Sequence, residues 1–199
     1  MYRTSFLRFF VAACTFEAAA SAIDLTPRYV TTASDGVRSR HPCFLDGNKK
    51  YAVTLDSETE LLPGEGAAIF NFTKFRRAVM KLTQSPLKPS LGSDLVDLAL
   101  YRKTAERLLP DGAIHPVIVS EDSEVLPINR WRSKQLVFDY EFAGAQMRES
   151  VIFLELNPTS QIIVQIRAGE ADFTTVSSRG LSIIRRWHEV TPDLEHGGN

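Results

Sequence analysis

The residue types that could do chemistry in this sequence are few, and they are scattered. A thiol nucleophile needs a neighbouring base to draw off its proton. The one such pairing is His41 with Cys43, on a stretch that reads as loop, and it reads as coincidence rather than as a dyad. A hydrolase serine needs a strained elbow, and no GxSxG run is present. A metal needs three or four convergent ligands, yet His41, His115, His188 and His196 sit in unrelated segments, and neither HExxH nor CxxC occurs. Glu121, Asp122 and Glu124 beside Ser120 and Ser123 form a carboxylate cluster that reads as a solvated acidic turn, not an acid and base pair or a calcium loop. The glycine-rich run Pro63-Gly64-Glu65-Gly66 leads toward a strand and carries a carboxylate, so it is a turn and not a phosphate cradle. No catalytic residue, metal ligand or cofactor is expected from these patterns.

Three features could carry binding instead. Trp131 between Arg130 and Arg132 has the make-up of an aromatic interface anchor, against the plainer reading of a tryptophan at the core edge. Arg76, Arg77 and Lys81 form a small basic cluster able to meet an acidic partner, or simply a solvated strand end. Asn71-Phe72-Thr73 is a glycosylation sequon, which matters only in a eukaryotic source. Nucleic acid is an unsuitable partner: 23 Lys plus Arg against 24 Asp plus Glu leave a formal charge of -1 with no basic footprint.

The elements that would position these groups begin after residue 22. The start, MYRTSFLRFFVAACTFEAAASA, has Arg3 and Arg8, an apolar stretch and small residues before a polar continuation, the pattern of an export signal. Cleavage after Ala20-Ser21-Ala22 would free a soluble chain; Val11-Ala12-Ala13-Cys14 resembles a bacterial lipobox, which would make Cys14 a lipidated first residue. Glu17 sits awkwardly in the first scheme, the five residues between Arg8 and Cys14 in the second; both stay open, as does a third reading in which neither occurs and the segment is a frayed terminus. No run of about 20 apolar residues could span a membrane, so membrane contact is expected only through a lipid on Cys14. Either cut leaves Cys43 as the sole thiol, read as a small buried apolar residue.

With 44% hydrophobic residues in 199, the chain can bury one core. Residues 23–50 read as an extended lead-in, 51–190 as one domain and 191–199 as a loose tail. Tyr51 to Asp56 alternates like a half-buried strand, and Ala68 to Phe72 and Ala78 to Leu82 read as two more. Ser93 to Leu109 changes to helical spacing, capped by Ser93 and stopped by Pro110. The strongest pattern is a three-stranded meander. Leu136, Phe138, Tyr140 and Phe142 share one face; Ile152, Leu154 and Leu156, then Ile162, Val164 and Ile166, follow in the returning strands. The polar residues between them imply strands wet on one side. A second amphipathic helix opens at Asp172 and carries Phe173, Val176, Gly180, Ile183, Ile184 and Trp187, with Gly180 marking close packing.

The run from Arg130-Trp131-Arg132-Ser133 into LVFDYEF, then ESVIFLEL, IIVQIRAG and DFTTVSSRGLSIIRRW, resembles the PsbP-like superfamily, which includes the photosystem extrinsic protein PsbP and the bacterial lipoprotein DcrB. The resemblance covers about residues 51 to 190 and rests on element order, not on catalytic residues. It implies an α+β domain: an antiparallel sheet with a C-terminal three-stranded meander, flanked by two amphipathic helices in an α/β/α sandwich. It also implies an exported location, periplasmic or beyond, and a role in binding or assembly without catalysis, but it carries no substrate or partner across. The reading that results is an exported bacterial binding or accessory domain, without cofactor, that acts against another envelope protein. Two alternatives stand beside it: a small-ligand-carrying periplasmic domain with a pocket near Phe138, Tyr140 and Phe142, and a thiol enzyme using Cys43.

Overall fold

A computed structural model describes residues 23–34, 37–86, 94–123, 132–157 and 160–190. Eleven strands and two helices follow in the order β1 (Ile23–Ser34), β2 (Val37–Asp46), β3 (Lys49–Ala52), β4 (Thr59–Gly64), β5 (Ala67–Phe72), β6 (Val79–Pro86), α1 (Asp94–Glu106), β7 (Ile114–Ser123), β8 (Ser133–Phe142), β9 (Ala145–Asn157), β10 (Ser160–Gly169), α2 (Phe173–Arg185) and β11 (His188–Val190). Among the described residues the strands make two antiparallel sheets: a long one ordered β4-β5-β6-β10-β9-β8-β7 and a small one ordered β1-β2-β3-β11.

The meander is present as β8, β9 and β10, and it is the centre of a larger sheet rather than a sheet in itself. Its first connection is a two-residue hairpin loop in which Ala143 and Gly144 both take positive φ, 50° and 72°, the turn geometry whose twist matches antiparallel strands. The strands are not wet on one side. Leu136, Phe138 and Tyr140 of β8 pack with Val151 and Phe153 of β9 under the end of α1. Ile152 and Leu154 of β9, with Ile162, Val164 and Ile166 of β10, face the other way, against α2. The apolar sets of β8 and of its two followers thus lie on opposite faces, and helices on both faces complete the sandwich.

α2 binds its face through Phe173, Val176, Ile183 and Ile184, all buried. Gly180 is there because the sheet is close: a Cβ on it would stand 2.9 Å from Ile166 Cδ1 and 3.2 Å from Met80 Sδ. Asp172 precedes the helix but makes no side-chain cap; its carbonyl accepts from Val176 N–H at 3.0 Å. α1 is held by fewer contacts. Tyr101 meets Phe153 with ring centroids 4.8 Å apart, and Ala105 and Leu109 are buried, while Ala99, expected on the apolar side, is exposed. Ser93 lies outside the described residues.

Residues 23–50 are not a lead-in. They form β1 and β2 and enter β3, and the strand expected at Tyr51 to Asp56 ends at Ala52. The small sheet is closed by β11 from the far end of the chain, with His188 opposite Ala52 and Glu189 opposite Tyr51. Its anchor is Phe44, fully buried, with its ring 5.4 Å from that of Trp187 just past α2. Burying a side chain of this size contributes about 2 kcal/mol, so the first strands belong to the same core as the helix.

Candidate functional site

The sequence-based candidates disperse in the structure. Cys14, Arg130 and Trp131 lie outside the described residues. Arg132 is exposed, its Nε 3.9 Å from Glu155 Oε2, a loose surface pair. Arg76 is exposed on the turn after β5. The acidic group is engaged locally: Glu121 takes Arg102 at 2.8 Å and Lys134 at 3.5 Å, and Asp122 accepts from the Ser120 hydroxyl at 2.6 Å. Cys43 is buried in β2, and burial pushes its thiol above the ordinary value, the reverse of what a nucleophile needs. Among the described residues no three His, Cys, Asp or Glu side chains come together as metal ligands.

Arg77 is the exception. It lines a groove of about 380 Å³ at the end of the long sheet with Asn71 of β5, Val79 of β6, Phe142 of β8, Met147 of β9 and Arg167 of β10. Phe138 and Tyr140, expected in a ligand pocket, are buried core, so the groove lies one step outside them. Arg77 holds a left-handed backbone, φ 64°, and its Nη1 donates to the Phe142 carbonyl at 3.5 Å. The Arg167 guanidinium carbon sits 5.8 Å from the Phe142 ring centroid.

Behind Arg167 lies the most buried carboxylate described. Glu149, directly across from Arg167 in the β9–β10 register, is 2% exposed. The Tyr140 hydroxyl donates to its Oε2 at 2.7 Å and Gln165 Nε2 to its Oε1 at 3.0 Å; Gln165 also donates to the Leu108 carbonyl at 2.8 Å beyond α1. Burial pushes the Glu149 carboxyl above the usual carboxylate range, against those hydrogen bonds and the nearby Arg167 and Lys81 charges, which pull it down. Burial, with the Glu149 charge beside it, also raises the Tyr140 phenol far above its ordinary value, so it stays a donor. The chain of contacts ties three strands of the sheet to the segment after α1.

A second surface has no counterpart in the sequence reading. β7 is an edge strand, paired with β8 alone, and it exposes Ile114, Val117 and Val119 at 47%, 58% and 47%. They are three of the six large hydrophobics exposed among the described residues, so the exposure is concentrated. The edge is irregular. Its register shifts twice, His115 takes φ 52°, and Pro116 has no N–H to offer, which prevents another strand from adding along its full length. The run Ile-His-Pro-Val-Ile-Val was the signal available, and its bulges hide the period that would have marked a strand.

No helix among the described residues is long and apolar enough to cross a membrane. No protein-family model matches the sequence, and no curated protein matches it. Solved structures do. LpqN of Mycobacterium tuberculosis, described as involved in cell envelope biogenesis, is similar at a TM-score of 0.51 and 11% identity, over 83% of this chain and 92% of that one. The cyanobacterial PsbP of Synechocystis matches at a TM-score of 0.44 and 11% identity, over 83% and 94%. A Pseudomonas aeruginosa protein of unknown function matches at 0.40 and 14%, over 82% and 96%. At such identities the likeness is one of fold.

Proposed function

We propose that this chain is an exported binding or assembly-accessory domain of the bacterial cell envelope, which holds another envelope protein and performs no chemistry of its own. The observation that carries this reading is the β7 edge: Ile114, Val117 and Val119 stand out of a strand whose bulges and proline deny a partner the backbone but present it with side chains. Glu141, opposite Ile114, and Asp122, further along β7, set acidic groups beside the apolar ones. A partner surface with an apolar centre and a basic rim would fit. The export-like first 22 residues and the fold shared with the envelope-biogenesis protein LpqN support the compartment.

The test is Val117→Glu combined with Val119→Glu. Exposed edge positions tolerate such changes within about 0.5 kcal/mol of stability, so the fold should survive. In native envelope extracts the wild type should run above monomer mass and the variant at it. A wild type that runs as a free monomer, or a variant that keeps the complex, contradicts the reading.

A second reading, a small-ligand-carrying domain, is favoured by the groove at Arg77 and Arg167. The thiol-enzyme reading loses its basis, since Cys43 is buried and its thiol is held protonated.

A further inference from the structure

The groove between the β5–β6 turn and the β8–β9 hairpin has the size of a small-molecule site, at about 380 Å³. Both ionisable side chains lining it are cations, Arg77 and Arg167. Lys81, two positions beyond Val79 on the same sheet face, adds a third positive charge nearby. Of the carboxylates on that face, Glu121 is taken up by Arg102 and Lys134, Glu155 stands opposite Gln161 beside Arg132, Glu149 is buried behind Arg167, and Glu60 is exposed on β4 across from Asn71. Glu149 can balance one cation at most. Arg77 has no carboxylate within 4 Å among the described residues; its Nη1 makes a long contact to the Phe142 carbonyl.

The backbone at Arg77 points the same way. A φ of 64° costs an ordinary residue roughly 1–2 kcal/mol relative to a right-handed conformation, and glycine far less. A turn needing only its shape would be better served by glycine. An arginine held there at that cost places a guanidinium on the groove wall. Arg167 is steadied against the Phe142 ring and Arg77 reaches the Phe142 carbonyl, so both guanidinium groups stand at the Phe142 wall of the groove. Val79, Phe142 and Met147 give the groove an apolar side.

We propose that this groove binds a small organic anion, with its carboxylate or phosphate held between Arg77 and Arg167 and its apolar body against Val79, Phe142 and Met147. The site is independent of the β7 edge, so the failure of either leaves the other standing.

Calorimetric titration of the purified full-length chain at low salt tests this with three probes of one shape: phenyl phosphate, benzoate and benzyl alcohol. At least one of the two anions should bind saturably and the neutral alcohol should not; which anion binds tells phosphate from carboxylate. Arg77→Gly should weaken that binding about tenfold or more by removing a charged donor pair, while its melting temperature stays level or rises because the left-handed position is relieved. Asn71→Asp, which sets a carboxylate in the groove without changing its shape, should weaken binding too and serves if the glycine variant folds poorly. Absence of saturable binding by either anion, equal binding by benzyl alcohol, or wild-type affinity in the folded variants would overturn the proposal.

Discussion

Tyr140→Phe is the sharpest probe of the buried network, because it removes one oxygen and keeps the ring that packs under α1. The Tyr140 hydroxyl donates at 2.7 Å to Glu149 Oε2, and both side chains are buried. A buried hydrogen bond to a charged acceptor is worth about 1.5–3 kcal/mol and one between neutral groups about 0.5–1.5 kcal/mol. The loss should therefore depend on whether Glu149 is ionised. Burial raises the folded-state pKa of Glu149 above that of the unfolded chain, near 4.3 for a free glutamate. For a carboxyl raised on folding, its contribution is fully present below the unfolded value and is lost as pH rises through the folded one. The tyrosine hydroxyl pulls the folded value down, so removing it moves that value higher and deepens the loss. Tyr140 itself stays protonated throughout. Urea unfolding of wild type and variant at about pH 4 and about pH 8.5 gives the comparison. In alkali the expected loss of about 2 kcal/mol shifts the midpoint by about 1 M at a slope of about 2 kcal/mol/M; in acid the shift should be about half that or less. A loss equal at both pH values, or larger in acid, would refute a charged Glu149 anchored by Tyr140.

Other expectations follow from single contacts. Gly180→Val should lower the melting temperature by roughly 3–8 °C, since overpacking against Ile166 and Met80 costs about 1–3 kcal/mol and the helix-propensity gain is smaller; an unchanged melting temperature would mean α2 does not sit so close. Cys43 should react with iodoacetamide far more slowly in the native chain than in urea, being buried and held protonated; a fast native reaction would revive the thiol enzyme. Mass spectrometry of the mature N-terminus should find a lipidated peptide beginning at Cys14 or an unmodified one near Ile23, while an intact Met1 would end the export reading.

What the sequence showed of the fold, and what it hid, has a common physical root. Alternation of apolar residues fixed the registers of β8, β9 and β10, because a slip of one position would turn every apolar side chain to the wrong face. The same alternation misled about burial. Gln135 donates to the Ser150 hydroxyl at 2.6 Å inside the α2 face, and Glu149, Tyr140 and Gln165 satisfy one another on the α1 face. Polar residues that pair in the interior look, in a linear pattern, like residues meant for water. β1 and β2 were hidden for a different reason. Thr31, Arg38 and Arg40 show no apolar period; β1 is held by β2 and β2 by β3, itself closed by a strand more than 130 residues later. The arginine groove was only half visible: Arg77 stood out in a basic run, but Arg167 reaches it through two cross-strand registers that no local spacing encodes.

The claim that the domain works by holding an envelope protein meets its most direct test in living cells. A photo-crosslinking residue at Val117, and separately at Val119, should give on illumination the same discrete adduct to one envelope protein, while the same residue at exposed Ser178 on α2 gives none. No adduct from either β7 position, an adduct to a cytoplasmic protein, or an identical adduct from Ser178 would contradict it.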